Sequence, residues 1–561
     1  MKRKVTMSLA AIALFAAPHA TAADWFFSPD GSGSADGSSW ENAASSEDLA
    51  GALADPATIA PGDNVFLQAG TYKHQNILWN ITPGLNIKGG YPATMKGTDT
   101  TIEYPSAETS VFTADYDGDG LGDNGTDCFI TISYDGKKED APKSLFAGIT
   151  IRDAWSKSTG SYKGSALVVF NGNLELDHVN ICNNQTGYVE ETDGSLVGAG
   201  AVVSVCGGIM YAHDCVWENN KATRSGAALI IRGAEGKSGT AANELNGTNP
   251  EKSVVYLDRC EFTNNVLLVP NHAKATYGGT IAVGDYCGTL YMNNCTATGS
   301  EIAWAGAFAR LGGGATMYMT NTTLFGFSCN YSARYSGTIL SCGTGSKLYT
   351  ANTVAVVKED EKEGMFATMF HQGGDGGLLE TGGYNVWGSL NDASNAVFAA
   401  SDNIVNTNTM KVVLGSDMPE YTQHGGNETR VVSVDETYRG MPVNELKTLA
   451  AKWSFPSFID VELDQRGLKR PEFTISGAYD PKAEVVSSVE TTMSGENEKL
   501  VAACLGGGLF KVNATGTVDV MDLSGKIVLS DSVGDGIVNL SGLNEGIYIL
   551  KMNSGVVKIV K

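Results

Sequence analysis

The chain has 561 residues, with 62 Asp or Glu against 39 Lys or Arg, which gives a formal net charge of −23 at pH 7. A surface this acidic repels phosphate backbones and anionic lipids, so nucleic acid and peripheral membrane surfaces are disfavoured as partners. With 68 Gly, 15 Pro and only 18% charged residues, the composition is typical of a repetitive all-β protein rather than a helical bundle.

The first segment, residues 1–22, has the features of a secretory signal peptide. Basic residues 2–4 precede an apolar run, and residues 20–22 have the Ala-Thr-Ala spacing of a cleavage site. The run is too short to span a bilayer and no second apolar stretch follows it. We therefore expect a mature chain that begins at Ala23 and has no transmembrane segment.

A short helix and a strand are predicted next. Residues 46–54 open with Ser46 and an acidic first turn, which favours a helix that closes one end of the fold. After a Pro61-Gly62 turn, residues 64–72 are predicted to form the first full strand.

The densest acidic motif lies in residues 115–127. Its carboxylates recur around glycines that allow a tight turn, at Asp115, Asp117, Asp119, Asp123 and Asp127. Ca²⁺ prefers such clusters of oxygen ligands, so this loop is the candidate metal site and Ca²⁺ the candidate cofactor. The twelfth loop position holds Thr126 rather than the bidentate Glu of an EF-hand, and an acidic surface loop without an ion is the alternative.

From residue 164 onward the sequence repeats. A strand pattern that alternates apolar and polar residues occurs at residues 174–184, 210–220, 255–265 and 290–300, with weaker copies at 317–324 and 348–353. A second strand, opening with Gly, precedes each copy, and one repeat has 27 to 45 residues. One repeat cannot bury its apolar face alone, whereas stacked repeats share a core. The predicted fold class is all-β, a long right-handed parallel β-helix.

Stacking predicts two columns of buried side chains, in which equivalent residues lie about 4.8 Å apart. The first column is Val179, Cys215, Cys260, Cys295, Thr322 and Thr353, and the second is Ile181, Trp217, Phe262, Ala297 and Leu324. Ten Cys in an exported chain would suggest disulfides. Because three of them share one column, we expect mostly free, buried thiols instead.

Motifs at both ends of this region carry a family resemblance. Residues 30–43, 61–72 and 85–91 resemble the opening of bacterial pectate-lyase-like right-handed β-helix proteins. The Gly-Gly-Thr and Gly-Ala strands, with Phe262-Thr-Asn-Asn265, are similar to repeats of chlamydial polymorphic outer-membrane proteins. Residues 382–386 and 464–479 resemble the closing segment of anchored surface β-helix proteins. The resemblance covers about residues 23–480, which form the predicted β-helix domain.

Residues 481–497 are predicted to be a linker, and residues 498–561 a small β-sandwich. Alternating strands at residues 518–528, 543–551 and 556–561 resemble the C-terminal sorting domain of type IX secretion cargo in Bacteroidetes. The resemblance implies the type IX secretion machinery as a partner, and a secreted or outer-membrane cell-surface location. A β-sandwich appendage without a secretion role is the alternative.

No catalytic residue is assigned. A lyase or hydrolase on this fold would need acidic and basic groups on one face of adjacent coils. Arg232 and Arg310 end strands without acidic partners at matching positions, and Glu218 and Glu261 are two positions out of register.

The histidines and two insertions complete the candidate residues. His178, His213 and His272 are predicted to be scattered surface or turn residues. The insertions at residues 187–197 and 233–253 are predicted to project from one region of the stack and to bind ligand. Their candidate sugar contacts are Tyr188, Glu190, Glu191 and Asp193.

The expected function is that of an exported surface protein, a non-catalytic adhesin or glycan-binding protein. Its expected partner is a polysaccharide, or a glycan or protein on a host or bacterial surface. Two alternatives stay open: a polysaccharide lyase or glycoside hydrolase acting on a uronate-containing polysaccharide, and a purely structural surface-layer role.

Overall fold

The computed structural model divides the chain into two compact units, Met1–Lys482 and Ala483–Lys561. It describes residues 22–560 except 75–77, 107–108, 126, 158–163, 191–195, 198–199, 224, 269–277, 300, 303–305, 330–338, 359–369, 373–377, 389–408, 424–428, 485–501, 507–508, 513–515, 522–525, 534–535, 544–546 and 553–554. The predicted signal peptide up to residue 21 and most of the predicted linker therefore lie outside the described residues, as do Thr126, Glu191, Asp193 and His272.

The first unit is a right-handed parallel β-helix, as predicted, whose coils contribute strands to three long parallel sheets. Sheet 1 consists of Asp24–Phe27, Asn64–Gln68, Asn86–Tyr91, Lys143–Ala147, Asn173–Asp177, Ile209–His213, Ser253–Asp258, Gly288–Asn293, Thr316–Thr320, Lys347–Ala351 and Leu378–Gly383. Sheet 2 consists of Trp79–Ile81, Ile130–Ser133, Leu167–Phe170, Val203–Cys206, Leu229–Arg232, Ile281–Val283, Ala309–Leu311, Leu340–Cys342 and Phe370–Gln372. Sheet 3 consists of Gly70–Tyr72, Ser110–Thr113, Ile149–Arg152, Asn180–Cys182, Val216–Glu218, Glu261–Thr263, Thr296–Thr298, Thr323–Phe325, Val354–Val356 and Val386–Trp387.

Shorter strands pair outside the three long sheets. A four-stranded parallel sheet is formed by Trp155–Ser156, Gln185–Thr186, Lys221–Ala222 and Val266–Leu267. Tyr188–Val189 pairs antiparallel with Leu196–Val197, Tyr421–Thr422 pairs antiparallel with Val431–Val432, and Glu301–Ile302 pairs parallel with Ser328–Cys329.

The two predicted columns lie in the interior together with inward-facing residues of sheets 1 and 2, and both columns are confirmed. Strand register places Ile181, Trp217, Phe262, Ala297 and Leu324 on successive coils. The column that begins at Val179 stands two residues earlier in each coil, and its six members are fully buried. Trp217 and Phe262 stack with ring centroids 4.8 Å apart, which adds an aromatic contact to the burial.

The cysteines whose side chains the structure describes are free, as expected. They are Cys128, Cys182, Cys206, Cys215, Cys260, Cys287, Cys295 and Cys342. Burial raises the pKa of Cys182 to about 11 and that of Cys342 to about 12, so these thiols stay protonated and unreactive.

The Asn-Asn pair that closes a repeat forms the corner after sheet 3. Its first residue is left-handed, with φ of 57° at Asn183 and Asn219, a conformation that Asn tolerates better than most residues. Its second residue points inward and hydrogen-bonds along the stack. Asn184 Nδ2 donates to Asn220 Oδ1 (3.1 Å), and Asn220 Nδ2 donates to Asn265 Oδ1 (2.9 Å). This ladder ties adjacent coils together at the corner.

The N-terminal cap contains the predicted helix, Ser46–Ala54, whose Leu49 and Leu53 are buried in the core. Its N-cap is Ser45 rather than Ser46, because the Ser45 hydroxyl and backbone N–H both donate to the Asp48 carboxylate. The expectation that the first strand lies at residues 64–72 is wrong. Asp24–Phe27 precedes it and pairs with Asn64–Gln68, and residues 64–72 contain two strands.

Residues 409–482, here called the strap, return along the outside of the coils. The strap contains the helices Met410–Val413 and Val443–Lys452. Outward-facing tyrosines of sheet 1 stand one per coil beneath it, at Tyr211, Tyr256, Tyr291, Tyr318 and Tyr349. Trp453, Phe455 and Phe458 of the strap pack on this tyrosine column, with Phe458 4.5 Å from Tyr211 between ring centroids. The remaining described helices are Trp40–Asn42 and Ala234–Gly236, both 3₁₀, and Ala241–Asn246.

The second unit is a small antiparallel β-structure, in agreement with the predicted β-sandwich. One sheet contains Ala502–Gly506, Leu509–Val512 and Ile537–Asn539, and the other contains Ile527–Val533, Gly516–Met521, Ile547–Met552 and Gly555–Val560. Its core includes Phe510, Val518, Val520 and Leu550. In the described part of the chain, every helix is too short or too polar to cross a membrane.

Candidate functional site

A polar groove of about 400 Å³ lies over the outer face of sheet 3. Its residues are Tyr104, Ser106, Thr109, Gly148, Ile149, Thr150, His178, Asn180, Val216, Glu218, Glu261, Gln423 and Arg430. Alternation of inward and outward side chains within the short strands explains which residues of sheet 3 line the groove. Ile181, Trp217 and Phe262 point into the core, so Asn180, Glu218 and Glu261, which flank them in sequence, point outward.

Glu218 and Glu261 are brought together by a residue of the strap. Val216, not Glu218, is the register partner of Glu261, so the predicted two-position offset is confirmed. Arg430 nevertheless reaches both, with Nη2 2.7 Å from Glu218 Oε1 and Nε 2.7 Å from Glu261 Oε1. Its backbone N–H also donates to Glu261 Oε2 at 2.6 Å. No periodic pattern in the sequence predicts this contact, since Arg430 lies outside the repeats.

The pairing limits what the groove can do chemically. Glu261 is 1% exposed and held by three donors of Arg430, while Glu218 and Arg430 are each about one third exposed. Both oxygens of Glu261 and one oxygen of Glu218 already accept from Arg430, so the two carboxylates act as hydrogen-bond acceptors in this groove. The amides of Asn180 and Gln423 supply further donors and acceptors that suit a neutral, hydroxyl-rich ligand.

A compact charge cluster stands at the corner between sheets 1 and 3. Adjacent coils contribute aligned pairs of neighbouring residues, which are Asp177-His178, His213-Asp214 and Asp258-Arg259. The charges alternate both along and across the stack, so each group faces opposite charges. The signal was present in the sequence, because the three pairs occupy one position of the repeat.

His213 corrects the prediction that the histidines are scattered surface or turn residues. Its ring is 16% exposed and its Nδ1 lies 3.0 Å from Asp214 Oδ2, while its Nε2 lies 3.3 Å from Glu175 Oε1. Burial alone would lower its pKa, but the hydrogen bonds to Asp214 and Glu175 raise the pKa of His213 to about 10. His178 does lie in a turn, with φ of 51°, and its ring stacks on Tyr104 at 5.7 Å.

The cluster also contains a group with metal-ligand chemistry. Ligand atoms of Asp177, His213 and Asp214 lie within 4.8 Å of one another. Arg259 already binds Asp214 through two nitrogens, at 2.9 and 2.7 Å, so a cation there would face a guanidinium. The arrangement is that of an ion-pair network.

The acidic loop brings part of the candidate calcium set together. Ligand oxygens of Asp115, Asp117 and Asp119 lie within 4.8 Å of one another. Asp123 accepts from the backbone N–H of Tyr116 at 2.9 Å, and neither it nor Asp127 belongs to the group of three. The loop packs on the corner after sheet 3, where a Cβ on Gly122 would lie 2.2 Å from Asp153 O, and not along the groove over sheet 3.

The two insertions do not project from one region of the stack, so that expectation is wrong. Residues 187–197 lead into the sheet 2 strand Val203–Cys206, whereas residues 233–253 follow the strand Leu229–Arg232 and lead into sheet 1. They therefore stand at opposite ends of the sheet 2 strands. Tyr188 donates to Glu190 at 2.8 Å within the first insertion, and Arg232 donates to Ser238 at 3.2 Å within the second.

Comparisons with known proteins bear on export. Residues 509–561 match the family model of the secretion system C-terminal sorting domain. No curated protein matches the chain. Among solved structures, pectate lyase Pel9A is similar at 16% identity over 60% of this chain and 77% of its own, with a TM-score of 0.31. XylC in complex with xylose is similar at 9% identity over 82% of this chain and 99% of its own, with a TM-score of 0.29.

These structural likenesses are too distant to transfer an activity. The sorting domain is specific to export by the type IX secretion system. The chain is therefore a type IX secretion cargo, secreted or attached to the cell surface, whose first unit is a parallel β-helix.

Proposed function

We propose that the protein is a non-catalytic glycan-binding protein of the cell surface, and that the groove over sheet 3 is its binding site. The observation that carries the proposal is the capture of Glu218 and Glu261 by Arg430 in a groove otherwise rich in amides and hydroxyls. Sugar hydroxyls both donate and accept, and such a lining offers them both kinds of partner.

The same observation argues against glycoside hydrolysis in this groove. Hydrolysis needs one carboxylic acid that gives a proton to the leaving oxygen. Both oxygens of Glu261 accept from Arg430 and the side chain is 1% exposed, so this carboxyl group is not positioned to give a proton to a leaving oxygen. Elimination would need a cation beside the substrate acid group, and the candidate calcium loop does not line this groove.

Glycan arrays and product-release assays on the mature full-length protein test the proposal. We expect retention of at least one surface glycan and no new chain ends from pectins, other uronate polymers or host glycans, with or without Ca²⁺. Glu218→Gln should weaken binding about tenfold, because a charged acceptor contributes roughly 1.5–3 kcal/mol. The matched control Glu436→Gln, on an exposed side chain of the strap that pairs with Lys482 and does not line the groove, should bind as wild type.

Two outcomes contradict the proposal. Release of new chain ends would make the protein an enzyme, and Ca²⁺-dependent release would direct attention to the acidic loop. Binding that is unchanged in Glu218→Gln would place the glycan elsewhere on the molecule.

We propose in addition that the acidic loop binds Ca²⁺ through Asp115, Asp117 and Asp119. Ligand oxygens of the three carboxylates lie within 4.8 Å of one another, and Ca²⁺ prefers such a set of oxygen ligands. In this position the ion would stabilise the loop against the corner after sheet 3, a structural role.

A further inference from the structure

A second groove, of about 440 Å³, runs along the corner after sheet 3 and shares no residue with the groove over that sheet. It is called here the asparagine groove. Its residues are Gly120, Leu121, Gly122, Asp153, Ala154, Trp155, Asn183, Asn184, Gln185, Asn219, Lys221 and Asn264.

One side of the asparagine groove is a row of outward polar side chains, which are the carboxylate of Asp153 and three amides. Asp153, Asn183, Asn219 and Asn264 occupy the same corner position on four successive coils, because the residues that precede them are register partners. All four are left-handed, with φ between 52° and 60°. The row therefore repeats at the interstrand spacing of about 4.8 Å.

The outward amides do not supply the hydrogen bonds that join the coils at this corner. Those bonds come from the inner ladder of Asn184, Asn220 and Asn265, in which Asn184 and Asn220 also donate to carbonyls of the preceding coil. In the outer row, Asn264 donates to Asn219 at 2.6 Å. Within the described part of the chain, the Asn183 amide forms no side-chain hydrogen bond, and both Asn183 and Asn264 are exposed.

The other side of the groove is a parallel column two residues further along each coil. Register places Trp155, Gln185 and Lys221 side by side. Trp155 Nε1 and Gln185 Nε2 both donate to Gly187 O, at 3.2 and 2.9 Å, which fixes the orientation of the indole and of the amide. Lys157 Nζ lies 4.3 Å from the Trp155 ring centroid.

The combination defines a ligand chemistry. Amides bind pairs of adjacent hydroxyls, and an indole packs against the C–H face of a sugar ring. A row of identical amides at a constant interval suits a ligand whose own hydroxyls recur along its length. The net charge of −23 disfavours an acidic chain. These features together point to an extended, neutral polysaccharide.

We propose that the asparagine groove binds a neutral polysaccharide chain that runs parallel to the axis of the β-helix. Asn183, Asn219 and Asn264 hydrogen-bond successive sugar units, and Trp155 packs against one of them. Four corner positions span about 14 Å at the interstrand spacing, so a short oligosaccharide fills the row and longer chains gain no further contacts in it.

Glycine is the substitution that tests the row without disturbing its fold, because it adopts positive φ without strain. Three full-length mature proteins would be titrated with neutral glucans, mannans and xylans, and with oligosaccharides of increasing length. They are the wild type, the triple variant Asn183→Gly/Asn219→Gly/Asn264→Gly, and Trp155→Ala. We expect affinity to rise with length and then level off, and to fall at least tenfold in the triple variant and in Trp155→Ala. Glu436→Gln, an exposed position that lines neither groove, is the matched control and is expected to bind as wild type. Thermal unfolding checks that each variant folds.

The outcomes that overturn the proposal are distinct from those that overturn the groove over sheet 3. Equal affinity in wild type and the triple variant, absence of any neutral ligand, or binding of acidic polysaccharides alone would each refute the asparagine groove. A ligand lost in Glu218→Gln but retained in the triple variant belongs to the groove over sheet 3.

Discussion

Asn220→Ala should open the corner of the coil stack, because Asn220 is the middle rung of the inner asparagine ladder. Its Nδ2 donates to Ile181 O at 2.8 Å and to Asn265 Oδ1 at 2.9 Å. Its Oδ1 accepts from the backbone N–H and from Nδ2 of Asn184, at 3.2 and 3.1 Å. The residue is fully buried, so water cannot replace these bonds without local opening.

The magnitude follows from the groups left without partners. Asn184 Nδ2 keeps its bond to Ile151 O, and Asn265 Oδ1 keeps the backbone N–H of Asn220. The Asn184 N–H loses this acceptor, and a buried unsatisfied group costs about 1–3 kcal/mol. Ile181 O loses one donor but stays within the paired strands of sheet 3, so its loss is about 1 kcal/mol. We therefore expect Asn220→Ala to lower the free energy of local opening by about 3 kcal/mol, roughly a hundredfold in the opening equilibrium.

Native-state hydrogen exchange is the appropriate assay, since a long repeat array opens locally as well as globally. Amides of the coils around Asn184 and Asn220 should exchange roughly a hundredfold faster in the variant than in wild type. The control is Asn219→Gly, one residue earlier, which keeps the positive φ and loses only the surface bond from Asn264. Its exchange should change less than about tenfold. Equal protection of these amides from exchange in the two variants would show that the inner asparagine ladder does not stabilise the corner.

Three further predictions concern the charge cluster, the strap and the acidic loop. The pKa of His213 is raised to about 10 in the folded state from an ordinary 6.5. The stability that the charged His213 contributes is therefore fully present below pH 6.5 and is lost as pH rises toward 10. The wild type should have a higher Tm than His213→Gln at low pH, and this difference should shrink across that range; a difference that stays constant would contradict the prediction. Arg470→Leu removes the donor to the buried acceptors Asn294 Oδ1, Leu463 O and Gly477 O and should cost about 3–5 kcal/mol, seen as protease cleavage in the strap. Lys452→Ala breaks only an exposed ion pair and should cost less than about 1 kcal/mol. Equal protease resistance of the two variants would contradict the role of Arg470. Ca²⁺ at a hundredfold excess over its dissociation constant should stabilise the wild type by about 2.7 kcal/mol, which is measured as a rise in Tm. The control Asp135→Asn should show the same rise, and Asp117→Asn should show none. A Tm that does not change with Ca²⁺ in any of the three proteins would contradict the calcium proposal.

The features that were predictable from the sequence are those with a period. Alternation within a strand predicts which side chains point inward, and alignment of the repeats predicts which side chains stack. The column from Ile181 to Leu324 could therefore be predicted from the amino-acid sequence. The free thiols followed from the same alignment, since Cys215, Cys260 and Cys295 share one position. The helix Ser46–Ala54 followed from local propensity and capping.

The features that were not predictable depend on contacts without a period. Arg430 meets Glu218 and Glu261 from 212 and 169 residues away, and the strap that carries it has no counterpart in the repeats. The placement of the strap is decided by the tyrosine column and by the burial of Arg470, which exist only once the coils are stacked.

The sequence by itself determined the coil, its columns and its route of export, because each is set by short-range patterning or by a local motif repeated in register. Only the tertiary structure decided where two carboxylates share a guanidinium, how His213 keeps its charge, and which face of each Asn-Asn corner is left for a ligand. These properties arise from neighbours on other coils or on the strap, and the energy of a buried charge or amide depends on those neighbours rather than on its place in the chain.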